Sequence, residues 1–353
     1  MDSAIVTESV KEAWVRTRTL LLTDPDIGRW LKYGFIAMLG AGALGSSGGG
    51  TSVQVPVGGP GGGGGEWTAP GGMGPQMMGA LRDALTWLAA NIANLLLLAL
   101  GLVIVSVIVA LLVLYIRSVF RFIFVDAVAA PREPGVIESW NRHTGQGLSL
   151  LIWYLLLGLI PLVLIVIALV PIIGSIGLLA SGEPVGALLG VGGMLGMGGM
   201  IFIALLLLAV GRALTEDFLV PAMYVRRSGI VSGWRHVAGA WRGQLGNVVL
   251  FYLLKLLLGI GAAIVTGIIG MLSLLLLIIP AISLGVVVGL IAASGMASNV
   301  TWIALGAPVL TALILGGGVF GYIMNVLLLP VSMFFQAYAL AFVGRLDASL
   351  RTI

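Results

Sequence analysis

The sequence predicts an all-α fold, a polytopic transmembrane helical bundle of eight spans, with six as the alternative. Three observations predict it. Apolar residues make up 59% of the chain and charged residues only 9%, against about a quarter in a soluble domain, so the solvent of this fold is lipid. Several apolar runs exceed the roughly 18 residues that mark a spanning helix. And 16 of the 18 Lys and Arg fall in the polar gaps that alternate spans leave on one side, the pattern of cytoplasmic loops. A β-barrel would instead show short segments of alternating polarity.

In order along the chain, the runs lie at roughly 30–46, 88–116, 148–171, 186–211, 247–270, 272–294, 299–317 and 319–343. Basic residues gather before the first run, between the second and third, between the fourth and fifth, and after the last. The opposite gaps hold only Arg82, and Lys255 lies inside a run. This places both termini and both large basic loops in the cytoplasm of a cell-membrane protein. The net charge of +4 then reads as orientation and attraction to anionic headgroups, with no nucleic-acid partner. From 299 to 343 an unbroken helix would measure about 67 Å, twice the ~30 Å hydrocarbon core, which predicts a break near Gly316, Gly317 and Gly318. The six-span alternative makes 272–294 or its neighbour re-entrant.

"GVIESW" at 135–140 returns as "GIVSGW" at 229–234. Over 124–140 and 218–234, Phe124, Arg132, Gly135 and Trp140 match Phe218, Arg226, Gly229 and Trp234 without a gap. Trp14 has a similar setting, with an apolar residue four before and a basic residue two after. A tyrosine opens each following span: Tyr33, Tyr154 and Tyr252. The sequence therefore predicts one membrane domain, 1–353, of three repeated units, 1–130, 131–227 and 228–353. Each begins with a cytoplasmic amphipathic helix lying in the headgroup plane, anchored by Trp14, Trp140 or Trp234. Val6, Val10, Ala13, Trp14 and Thr17 make the apolar stripe of the first; Val136, Ile137, Trp140 and Thr144 that of the second. Asp24-Pro25 restarts the chain after the first helix. Pro134 suits the first turn of the second, and Ser228 can cap the third.

Residues 45–75 carry 14 glycines in 31 positions and predict a flexible exterior linker. No strand precedes it and no Lys-Ser or Lys-Thr follows, so it is not a phosphate-binding loop. Gly186, Gly190, Gly192, Gly196 and Gly199 predict a close-packing helix in the fourth run. Pro161, Pro171, Pro221, Pro280, Pro308 and Pro330 are potential helix breakers.

Few residues suggest chemistry. The chain has no cysteine, which removes disulfides, thiolate metal sites and a cysteine nucleophile. Lys255 lies eight residues beyond Asn247 and either snorkels to the inner face or serves a cavity. Asn91, Asn94, Asn325 and Gln336 read as interhelical hydrogen bonders, Lys255 and Asn325 being the candidate intramembrane polar groups. His143 and His236 lack a metal-ligand set and read as headgroup-facing side chains. Asp126, Glu216 and Asp217 read as ion-pair partners of Arg117, Arg121 and Arg212. No catalytic residue, metal site or cofactor is predicted.

The stretch "DPDIGRWLKYGFIAMLGAGALGSSGGG", with the later "FLVPAMY" and "FFQAYALAFVGRLD", resembles an uncharacterised archaeal multi-pass membrane family with a Gly/Pro-rich loop after its first span. More loosely, the helical pattern is similar to the membrane domain attached to some glycerophosphodiester phosphodiesterases. That resemblance implies no activity here, because the soluble barrel that carries their chemistry is missing.

The expected function is that of a non-enzymatic membrane component that organises lipids or proteins, with membrane lipids and a protein partner or second copy as partners. The alternative is a transporter or channel for a small solute. The three repeats would all begin inside, unlike the inverted repeats of many transporters. A polar cavity reaching Lys255 would favour transport. A headgroup-sized cavity holding His143 or His236 with an acid would favour a lipid-modifying enzyme.

Overall fold

A computed structural model describes residues 3–23, 25–40, 75–130, 135–180, 184–293 and 316–350. These form helices α1 (Ser3–Leu21), α2 (Ile27–Gly40), α3 (Pro75–Ala129), α4 (Val136–Ala180), α5 (Pro184–Leu214), a π-helical turn (Thr215–Leu219), α6 (Val220–Arg226), α7 (Ile230–Trp241), α8 (Leu245–Ala293), α9 (Gly316–Leu327), α10 (Leu329–Leu346) and a 3₁₀ turn (Ala348–Leu350). Among the described residues there is no strand. Most of the glycine-rich 45–75 and of the predicted span at 299–317 lie outside the described residues.

Among the described residues, five helical segments are long and apolar enough to cross a membrane: Ala90–Ala129, Val136–Ile167, Gly190–Arg226, Leu245–Leu275 and Leu329–Leu346. That is the make-up of a multi-pass membrane protein. Of the first predicted run, 30–46, the described part lies in the 14-residue α2, and 41–46 lie outside the described residues. The runs 247–270 and 272–294 are one helix, α8, because no residue between them disfavours helix. A break falls at Leu328, before Pro330; the one predicted near Gly316, Gly317 and Gly318 borders residues outside the described ones. Proline lacks the donor that would reach Val326 and crowds that carbonyl, so Leu328 N–H closes α9 on Met324 O at 2.9 Å and α10 starts afresh.

The chain forms two compact units, one of residues 1–52 and 115–353, the other of 53–114. In the second unit the described side chains from Leu96 to Val113 are largely exposed and apolar, including Leu97, Ile104 and Ile108. The first unit holds the core. Its centre is α10, where Phe335, Tyr338, Phe342 and the small Ala337, Ala339 and Ala341 are all buried. Small residues let neighbouring backbones close in.

α1 is one of those neighbours. Val6, Ser9, Ala13 and Thr17, at helical spacing, are buried, and the helix packs on α10 and α8. The stripe of the first amphipathic helix therefore meets protein, while Trp14 is 54% exposed. Arg345 of α10 pairs with Glu8 and with Glu12 (2.9 Å) of α1. Arg16 donates to the carbonyls of Val128, Ala129 and Ala130 at 2.8–2.9 Å. These carbonyls lack helical partners at the end of α3, where a cation also suits the helix dipole. Arg16→Met is expected to cost about 1.5–3 kcal/mol, the range for hydrogen bonds from a charged group, read as a lower midpoint in thermal unfolding. Beyond α10, the Asp347 carboxyl is held below the usual carboxylate range by the Ser349 hydroxyl and N–H, helped by Arg226 and His236. Its support is complete at neutral pH and fades only as pH falls through that lowered value.

Two further corrections concern the repeat. In the second repeat, 131–227, the amphipathic segment is not separate: α4 runs without a break from Val136 through the span. Close helix approach also occurs away from the fourth run's glycines. A Cβ built on Gly192, Gly196 or Gly199 meets nothing within 4 Å, whereas one on Gly147 lies 2.4 Å from Val119 Cγ2 and one on Gly211 lies 2.6 Å from Leu157 Cδ1. Gly147, whose added Cβ would also lie 3.1 Å from Val119 Cα, thus sets the distance between α3 and α4, while Gly211 meets only the movable end of Leu157.

Candidate functional site

The polar interior gathers around the π-helical turn. Pro221 has no N–H to reach Asp217 O and its ring crowds that carbonyl. The helix answers by widening, and Val220 N–H bonds back five residues to Thr215 O. Thr215 Oγ1 donates to Gly211 O (2.7 Å) and accepts from Trp153 Nε1 (2.8 Å), pinning the turn to α4. The wider turn buries Glu216 and Asp217 together, at 6% and 5% exposed. Such turns inside α-helices are frequent at functional sites.

The two carboxylates take different partners. Glu216 Oε2 accepts from Arg121 Nη2 of α3 at 3.0 Å. Asp217 accepts from Lys255 Nζ of α8 through both oxygens, each at 2.6 Å. All four side chains are buried, so each charge needs its partner, since an unpaired buried charge is strongly disfavoured. Lys255 Nζ also lies 6.0 Å from the ring centre of Phe251. Phe251 stacks on Tyr338 and Phe342 of α10, at 4.6 and 4.4 Å.

Closer to the α4 start lies a second cluster. Asp126 of α3, buried, accepts from Tyr224 OH (2.6 Å) and Ser139 Oγ (2.9 Å). His143, 2% exposed, stacks between Phe122 and Tyr224. Its Nδ1 lies 2.7 Å from Gln146 Oε1, and Gln146 Nε2 donates to Met223 O at 2.6 Å. The carbonyl at Met223 fixes the amide, so Gln146 presents an acceptor and Nδ1 carries the hydrogen. His143 Nε2 has no hydrogen-bond partner.

His143 also lines a cleft. Two adjoining cavities, about 260 and 250 Å³, share Arg142, His143 and Arg227. The first continues to Ser228 and Gly229 at the start of α7, the second to Asp126 and Tyr224. No group of three or more His, Asp or Glu able to hold a metal occurs among the described residues.

Residues 5–353 match the family described as "Family of unknown function (DUF7544)". The chain belongs to that family. No curated protein and no solved structure matches it. Family membership supplies no activity, and it carries neither an archaeal origin nor a likeness to phosphodiesterases.

In this member of DUF7544 the predicted site residues separate. Lys255 is closed on Asp217 and lines neither described cavity. Asn325 donates to Gly321 O (2.8 Å) within α9. Tyr33 is buried in the core, and Tyr154 and Tyr252 pack half-buried against it. Trp140 lies edge-on to Tyr115 and Phe120, and Trp234 lies against Trp153 and Trp241. These two join the core of the first unit, whereas Trp14 stays exposed, so the three are not equivalent in packing. Of the expected ion pairs, Arg121–Glu216 forms, while Asp217 pairs across 38 residues with Lys255. Sequence reasoning missed the cleft, whose lining comes from separate segments, Arg142 and His143 from one and Arg227, Ser228 and Gly229 from another.

Proposed function

We propose that the protein is a non-enzymatic membrane component that organises inner-leaflet lipids, with both termini and the basic loops on the cytoplasmic side of the cell membrane. The observation that carries this reading is the closure of the buried charges on one another. Lys255 with Asp217, and Arg121 with Glu216, tie α3, α8 and the π-helical turn together. They brace a bundle end where Arg142 and Arg227 line a cleft. A braced, basic end suits holding anionic headgroups. The transport reading depended on a cavity at Lys255, and neither described cavity includes it.

A second reading, chemistry on a lipid headgroup, is favoured by one observation: His143 and Asp126 line the same cavity. Yet His143 Nδ1 is held by Gln146, and Asp126 by Tyr224 and Ser139. The pair is not a hydrogen-bonded acid–base couple, and binding is the better-supported role.

Extraction in polymer-bounded native nanodiscs, followed by lipid analysis, tests the proposal. The expected result is enrichment of anionic phospholipid over bulk membrane, with no headgroup released from added lipid. Bulk composition around the protein would contradict it, and headgroup release would establish the second reading.

A further inference from the structure

We propose that the cleft between α4 and the α6–α7 turn is a phosphate-binding site, taking the phosphate of an inner-leaflet phospholipid or a free phosphate ion. The proposal deepens the lipid-organising reading and rests on its cytoplasmic orientation. Four observations converge.

First, His143 is buried, yet its Nε2 has no partner and the residue lines both cavities. With Nδ1 committed to Gln146, Nε2 is the ring atom left for a ligand. Protonated, it donates to an anion.

Second, α7 begins uncapped. Its N-cap is Gly229, in extended conformation, with no side-chain hydrogen bond. The expected cap, Ser228, has its Oγ buried and without a partner. The first intrahelical bond runs from Gly233 N–H to Gly229 O, so the N–H groups before it have no helical acceptor. A helix start of this kind favours an anion.

Third, Arg227 sits in the left-handed region, φ 46° and ψ 40°. Glycine is the usual residue at this helix-ending position, and a side chain there costs about 1–2 kcal/mol. Arg227 has no ion-pair partner among the described residues, and Arg142 is shared only with the exposed Glu138 at 2.6 Å. An arginine kept in a strained position, without a protein anion, is a cation held for a ligand.

Fourth, the cleft sits where the lipid-facing surface begins. Leu148 and Ile152, the next residues along α4, are 51% and 49% exposed, so exposed apolar surface starts beside the cleft. Donors approaching from α4, the turn and α7 suit a tetrahedral oxyanion better than a planar carboxylate. Asp126 is the one acid on the cleft wall, and both its oxygens already accept hydrogen bonds.

The test uses the full chain in dodecyl maltoside, a detergent without phosphate. The probes are dihexanoyl phosphatidylglycerol, inorganic phosphate and dihexanoylglycerol. Phosphatidylglycerol is expected to bind and dihexanoylglycerol not. Arg227→Gly is expected to weaken binding about 10- to 100-fold, as when one charge-assisted hydrogen bond is lost, while its unfolding temperature holds or rises because the strain is relieved.

Displacement of the lipid by inorganic phosphate at similar concentration would assign the site to the free ion; failure to displace would assign it to lipid. Equal binding of dihexanoylglycerol, or an Arg227→Gly protein that is folded and binds like the parent, would overturn the proposal. Anionic-lipid enrichment in native nanodiscs that persists in Arg227→Gly would leave the organising role standing while removing the cleft. Absence of enrichment in the parent would remove that role whatever the cleft binds.

Discussion

Lys255→Met is expected to destabilise the protein by about 3–5 kcal/mol, the cost of stranding one member of a buried ion pair. Asp217 would remain at 5% exposure with its main partner gone. The double variant Lys255→Met with Asp217→Leu removes both charges and is expected to recover most of that loss, because apolar replacement of a whole buried pair is often neutral or stabilising. Unfolding followed by tryptophan fluorescence in mixed micelles provides the measurement. A double variant as unstable as the single one would show that the π-helical turn needs the carboxylate itself. A single variant as stable as the parent would show that the pair holds nothing together.

Phe251→Ala is the second large effect, about 3–5 kcal/mol. Phe251 is fully buried, and its ring lies flat on Tyr338 and Phe342 and edge-on to Phe218 and Tyr252. The vacated volume would open beneath Lys255 and between α8 and α10. The two sites share a wall, so Phe251→Ala and Lys255→Met are expected to be non-additive by 0.5 kcal/mol or more, as touching residues usually are. The same unfolding assay on the double variant measures it, and strict additivity would contradict the shared wall.

The parts of this fold legible in sequence are those set by local composition. Apolar runs such as 90–113 and 245–275 announce helices in lipid, and the sidedness of the arginines gives the expected orientation. What sequence hides is set by partners far along the chain. Lys255 and Asp217 are 38 residues apart, and nothing local to Lys255 shows that a carboxylate will meet it. A widened turn at 215–219 has no residue signature; only Pro221 hints at a disturbed helix. The stripe of α1 looks the same whether it faces lipid or protein, and the poly-small face of α10 decided it. The cleft was hidden for a related reason. Its parts come from α4, α6 and α7, and the decisive features, an uncapped helix start and a left-handed arginine, are properties of backbone.

The basic segments of α1, α4 and α7 are expected to share one side of the membrane. The chain has no cysteine, so single cysteines at the exposed positions Thr19, Asn141 and Arg235 can be labelled without background. An impermeant maleimide is expected to leave all three unlabelled on intact cells and to label all three in inside-out vesicles. Labelling of any one of them from outside the cell would contradict the account.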